Sequence, residues 1–116
     1  MNKKYALFAF NGDPMCFVHV LLNALDMHSK NYTVKIIIEG SATKLVKDLS
    51  DPTKPFANLY KKVKDLGLID CVCKACASKM ESLDAVIEQN LKLGNDMSGH
   101  PSMTQYIDDG FTVITF

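Results

Sequence analysis

Short apolar runs alternate along this chain with stretches whose apolar residues recur at three- and four-residue spacing. The first pattern reads as buried strand and the second as helix with one buried face. Such alternation leads to a parallel sheet with helices on both faces, joined by right-handed crossovers. The 116 residues suit one domain spanning 1–116, and a chain of this length can bury a core without staples. The expected fold is α/β: a three-layer, doubly wound, mainly parallel sheet of about five strands.

Tyr5 to Phe10 is the first apolar run. Asn11-Gly12-Asp13-Pro14 follows, where the Asp13 carboxylate can accept the free N–H groups of a helix start and Pro14 fits a first helical position that needs no N–H. That helix is expected to reach about His28, with Val18, Leu21, Leu22 and Leu25 as its core stripe and His19, Asn23 and Asp26 on its polar face. Tyr32 to Glu39 is β-branched on both faces, as a buried parallel strand requires. Gly40-Ser41 turns the chain into a helix on Ala42, Leu45, Val46 and Leu49. A loop over 51–55 precedes a third helix on Phe56, Leu59, Tyr60, Val63 and Leu66, which Gly67 ends. Leu68 to Cys73 is a third strand, and a helix starts near Lys74. Ser82 to Leu93 reads as helix passing into a short strand over 91–93. Residues 95–101 form a loop containing Gly99, Ser102 to Asp109 a short helix closed by Gly110, and Phe111 to Phe116 the last strand. In such a sheet all strand-to-helix loops emerge at the carboxyl-terminal edge, where ligands bind. The loops 11–14, 39–41, 73–76 and 98–101 are therefore expected to share one edge.

Lys plus Arg and Asp plus Glu number 13 each, so the net charge is near zero. That balance gives no electrostatic reason to expect nucleic acid or an anionic membrane as partner. No segment has the length of a membrane span. Met1-Asn2-Lys3-Lys4 before the first apolar run imitates a signal peptide, but the run is short and Asn11-Gly12-Asp13 stops it without a small-residue cleavage site, so a cytoplasmic location is expected. Of the four cysteines, Cys71, Cys73 and Cys76 crowd into six residues. That is a poor frame for disulfides, and in a reducing compartment such a cluster is more often catalytic or metal-binding.

Cys73 and Cys76 are the leading catalytic candidates. A thiolate, not a thiol, attacks disulfides, persulfides and electrophiles. Cys73 falls at a strand end and Cys76 in the first turn of the next helix, with Lys74 and Lys79 nearby. A helix start and positive charge favour the thiolate, so a lowered pKa is expected for at least one of the pair. The C-x-x-C spacing also brings the sulfurs close enough for a disulfide or a resolving step. Cys71 and Cys16 read as space-filling. His100, in Ser98-Gly99-His100-Pro101, is a candidate because its loop reaches the same edge. Asn11, Gly12, Asp13 and Glu39 are further candidates for the pocket, with Asp13 first of all a helix cap. His19 reads as a solvated or oligomer-facing residue.

Several segments carry a family resemblance: Phe10-Asn11-Gly12-Asp13-Pro14 with its apolar helix; Ile36-Ile37-Ile38-Glu39-Gly40-Ser41-Ala42; Asp65-Leu66-Gly67-Leu68 leading to Val72-Cys73-Lys74-Ala75-Cys76-Ala77; and Asp109-Gly110-Phe111-Thr112-Val113-Ile114. Together they resemble the DsrE-like sulfur-relay family. The resemblance implies a flavodoxin-like doubly wound parallel sheet and self-assembly into dimers, trimers or hexamers. It also implies a cysteine that carries sulfur as a persulfide, in partnership with other sulfur-relay proteins. The carrier position at the strand end is Cys73, and Cys76 matches a C-x-x-C present in some relatives and absent from others.

Four functions stay open. In the first, Cys73 holds sulfane sulfur as a persulfide and Cys76 resolves or releases it. The second is a dithiol redox protein, although no Trp precedes the pair and the pair lies far along the chain. The third is a zinc site on Cys71, Cys73, Cys76 and His100, against which stand a buried strand and the lack of zinc-ribbon spacing; neither metal nor cofactor is expected. The fourth is a non-catalytic assembly or binding module. A flavodoxin would need a longer phosphate loop than residues 11–14 provide, a response regulator an Asp where Cys73 stands, and a nucleotide triphosphatase a G-x-x-x-x-G-K-[ST] motif.

Overall fold

The computed structural model describes residues 3–116; Met1 and Asn2 of the signal-like start lie outside the described residues. The chain forms β1 (Lys4–Ala9), α1 (Pro14–Ser29), β2 (Thr33–Ile38), α2 (Lys44–Asp48), α3 (Ala57–Asp65), β3 (Ile69–Cys73), α4 (Lys74–Lys79), α5 (Leu83–Glu88), β4 (Leu93–Gly94), α6 (Met103–Asp108) and β5 (Thr112–Thr115). All strand pairs are parallel, in the order β4-β3-β2-β1-β5. Among the described residues no helix is long and apolar enough to cross a membrane.

The start of α1 is as its sequence dictates. The Asp13 carboxylate accepts from the Met15 N–H at 2.9 Å, and Pro14 opens the helix. Its buried face is rotated from the expected stripe: Phe17, Val18, Val20, Leu21 and Ala24 are buried, and Leu22 is exposed. The segment after β2 begins with a 3-10 turn over Gly40–Thr43 before α2. β4 is two residues long and starts two residues after the expected start, overlapping the expected strand at Leu93. A strand so short has no periodicity of its own, and its place is set by pairing of Val72 with Leu93 and Cys73 with Gly94.

The two faces of the sheet are covered unequally. On one, Leu7, Ala9, Ile36, Ile38, Ile69 and Val72 meet the apolar faces of α1 to α5. On the other, Ala6, Phe8, Ile37 and Cys71 are closed over by Tyr106 of α6 and by Phe111. Phe8 meets Tyr106 edge to face with ring centroids 5.5 Å apart, and Tyr106 meets Phe111 likewise at 6.2 Å. This is a three-layer α/β/α domain whose second outer layer is one short helix.

The register places functional residues in rungs across that second face. Phe8, Ile37 and Cys71 lie side by side. A shift between Ile36 and Ile37 leaves Asp70 as an extra residue on β3, which keeps Cys71 in step with its neighbours. Side chains alternate along strands, so the next rung on the same face, at the carboxyl end, is Phe10, Glu39 and Cys73.

Candidate functional site

Cys73 ends β3 and caps α4. Its backbone leaves the sheet in an extended conformation, and its Sγ accepts from the Cys76 N–H at 3.4 Å. This is the cap position that Ser, Thr or Asp usually fills, with sulfur as acceptor. Cys73 is fully buried and Cys76 partly exposed; both are free thiols, as are Cys16 and Cys71.

His100 reaches the pair through a two-residue turn. Met97 and His100 exchange backbone hydrogen bonds at 2.7 and 3.0 Å, with Ser98 and Gly99 between them at positive φ. Glycine is required at 99 on two counts: φ is +90°, and a Cβ there would stand 3.0 Å from the Ala75 Cβ. The close approach lets the Gly99 carbonyl accept from the Ala75 N–H at 2.9 Å and from the Cys73 thiol at 3.6 Å. So fastened to the first turn of α4, the loop holds His100 Nδ1 3.0 Å from Cys73 Sγ and 3.7 Å from Cys76 Sγ.

Glu39 comes from the end of β2 and is 7% exposed. Its Oε1 lies 3.8 Å from His100 Nδ1. Burial raises its carboxyl above the usual range, while His100 and a hydrogen bond with Cys73 pull it partly back. One sulfur from each of Cys73 and Cys76, one imidazole nitrogen and one carboxylate oxygen all fall within 4.8 Å of one another.

The expectation of an acidified thiol fails at Cys73. Burial pushes this thiol up to about 12; the Cys76 N–H lowers it, and Cys76 and Glu39, as neighbouring acids, raise it again. The first turn of a six-residue helix does not offset the loss of solvent. Cys73 is therefore a buried thiol 3.0 Å from the His100 ring nitrogen, not a standing thiolate.

The other sequence candidates divide. Glu39 and His100 also line an open recess of about 380 Å3 with Phe10, Met97, Pro101 and Met103. Phe10 and Met97 had no signal beyond being apolar residues beside loop glycines. Asn11 faces a different recess, of about 460 Å3, with Cys16, His19, Asn23 and Phe116. Gly12 donates its N–H to Ser41 Oγ at 2.9 Å, and a Cβ there would meet the Ser41 carbonyl at 2.6 Å, so it holds two edge loops together. Asp13 caps α1 and accepts no contact from the cysteine cluster. Cys71, weighed as a zinc ligand, instead meets the Tyr106 hydroxyl at 3.5 Å in the apolar rung below. That hydroxyl donates to Asp70, so the Cys71 thiol is the donor in its own contact.

Known proteins share this arrangement of chain. An uncharacterized protein of Methanocaldococcus jannaschii, MJ0733, is 41% identical over 97 residues, covering 84% of this chain and 77% of its own. An uncharacterized protein of Archaeoglobus fulgidus is 46% identical over 43 residues, 37% of this chain and 70% of that protein. The fold matches that of BT1422 from Bacteroides thetaiotaomicron, a conserved protein of unknown function, with a TM-score of 0.70 at 14% identity over 97% of this chain and 95% of the other. The sequence profile of the DsrE/DsrF-like family matches residues 5–116, and with the parallel sheet and the strand-end cysteine in place the chain belongs to that family.

Proposed function

We propose that the domain handles sulfane sulfur, with Cys73 as the residue that holds it and Cys76 as the thiol that resolves it. The observation carrying this reading is the contact of Cys73 Sγ with His100 Nδ1 at 3.0 Å, beside a second sulfur. With the imidazole proton on Nε2, His100 accepts the Cys73 proton. The Cys73 thiolate then attacks the outer sulfur of a donor persulfide. A new S–S bond forms, the donor S–S bond breaks, and the donor leaves as a thiolate that takes the proton from His100. An acceptor thiolate reverses the exchange on Cys73, with no net oxidation. Where no acceptor arrives, the Cys76 thiolate attacks the inner sulfur, expels hydrosulfide and leaves a Cys73–Cys76 disulfide, which a dithiol reductant resets. Burial of Cys73 shields the persulfide from stray thiols. The recess beside it, lined by Phe10, Met97 and Met103, suits an apolar surface presenting a donor or acceptor cysteine. A reducing, cytoplasmic setting, which keeps both thiols available, belongs to the same proposal. Assembly into a homo-oligomer and exchange with a sulfur-relay protein belong to the same proposal.

The test is sulfur loading of metal-free, reduced protein by polysulfide, read by mass spectrometry. Cleavage after Lys74 separates the peptide carrying Cys73 from the one carrying Cys76. The expected result in the unaltered protein is hydrosulfide release with the Cys73 and Cys76 peptides joined by a disulfide, both lost in Cys73→Ser. In Cys76→Ser one added sulfur is retained on the Cys73 peptide and hydrosulfide release is abolished. Unchanged sulfur uptake by Cys73→Ser overturns the assignment.

A further inference from the structure

We propose that Glu39, Cys73, Cys76 and His100 form a binding site for one soft divalent cation of the zinc class, held by two sulfurs, one imidazole nitrogen and one carboxylate oxygen. The four donor atoms lie within 4.8 Å of one another. With ordinary zinc bond lengths, the edges of a tetrahedron of S, S, N and O measure about 3.3–3.8 Å. The Cys73–His100, Cys76–His100 and His100–Glu39 separations are 3.0, 3.7 and 3.8 Å, so closing around an ion asks for shifts of tenths of an ångström on these edges. Paired thiolates with imidazole favour zinc, cobalt and ferrous iron over magnesium or calcium.

The ligands are positioned by backbone that no ion is needed to order. Glu39 leaves β2 with its N–H bonded to the Ala9 carbonyl at 2.8 Å. Cys73 and Cys76 are one helical turn apart, and the 97–100 turn is fastened to Ala75. The sequence spacing does not display this set, because Glu39 lies on a different strand and replaces Cys71, which faces Tyr106. Cys76 and His100 sit at the surface and give an ion access, while Glu39 and Cys73 form the buried floor. Two thiolates and a carboxylate carry three negative charges against the ion's two positive ones, so the ion neutralises most of the charge gathered there. The site stands independently of persulfide chemistry, and one consequence joins them: a bound cation and a persulfide compete for the Cys73 sulfur.

The test uses full-length protein stripped of metal and kept reduced without oxygen, titrated with cobalt(II) alone. The expected result is saturation at one equivalent, with sulfur-to-cobalt charge transfer in the near ultraviolet and the intense visible bands of a tetrahedral ion, all abolished by zinc. Glu39→Gln, His100→Ala and Cys76→Ser, checked for native circular dichroism, should each weaken cobalt at least about tenfold, and Cys16→Ser should not. Absence of the charge-transfer band at stoichiometric cobalt overturns the proposal, as does a tetrahedral spectrum unaltered in both Glu39→Gln and His100→Ala. Because sulfur loading is read on metal-free protein, failure of either reading leaves the other standing or falling by its own assay. If both hold, zinc should block sulfur loading in proportion to its occupancy.

Discussion

Cys71 and Cys73 lie two residues apart on β3 and face the same side of the sheet, in surroundings that differ in kind. Cys71 shares its rung with Phe8 and Ile37 and gives its thiol proton to Tyr106, under a cover of aromatic rings. Cys73 shares the next rung with Phe10 and Glu39 and meets an imidazole and a second thiol. Both sulfurs are buried, and burial raises both thiols. What separates them is the company: a hydroxyl already committed to Asp70 for one, an imidazole nitrogen shared with Cys76 and Glu39 for the other. Under the proposed function, what sets Cys73 apart from Cys71 is its partners, since both sulfurs are buried.

The contrast can be broken most forcefully from the lower rung. Phe8 is fully buried against Tyr106, and Phe8→Ala should lower unfolding free energy by about 3–5 kcal/mol in denaturant titration. A loss under about 1 kcal/mol would mean that this rung is not the structural one. Cys73→Ala, by comparison, should abolish sulfur loading while keeping the far-ultraviolet spectrum of the native fold. Alkylation of the folded, reduced protein near neutrality should label Cys76 and leave Cys71 at least about a hundredfold slower, since Cys71 must wait for local opening; equal rates would erase the distinction.

Smaller effects sharpen it. Tyr106→Phe removes a hydroxyl that donates to Asp70 and accepts from Cys71. A cost of about 1–2 kcal/mol is expected, with Lys35 still 3.7 Å from Asp70 to limit the damage. The smallest effect is alkaline. Burial raises Cys71 to about 11 from an ordinary value of 9.0 and raises Tyr60 above its own usual range. A raised folded pKa gives stability that is complete below the unfolded value and lost as pH climbs through the folded one. The melting temperature should hold to about pH 9 and then fall, less steeply in Cys71→Ala; an identical slope would remove Cys71 as a contributor.

Much of this could be read from residues in order. The Asp13-Pro14 cap, the β-branched run before Glu39 and the alternation of elements fix the parallel sheet and the edge on which Glu39, Cys73, Cys76 and His100 meet. The rest depends on contacts distant in sequence. β4 has two residues and therefore no pattern. The bulge at Asp70 exists because β3 must stay in step with β2, which no local preference records. The direction of the Cys73 shift also escaped, since a helix start is visible in sequence and the depth of burial beneath Gly99 and His100 is not. Asn11, on a neighbouring loop of the same edge, lines a separate recess with Cys16 and His19, a division that residue order does not display.

The strand order carries a cost that appears only in time. β1 is paired by β2 on one side and by β5 on the other, so its second ladder waits for a strand about a hundred residues away. Such distant parallel pairs close slowly, and until they do the thiols that the sheet buries stay open to solvent. Cys73 and Cys76, three positions apart, are in reach of each other in the unfolded chain, whereas His100 joins them only when the sheet has formed. The chain therefore passes through an interval in which these two thiols can cross-link before anything holds them in place, and the reducing power of its surroundings during synthesis bears on how much of it arrives with both thiols intact.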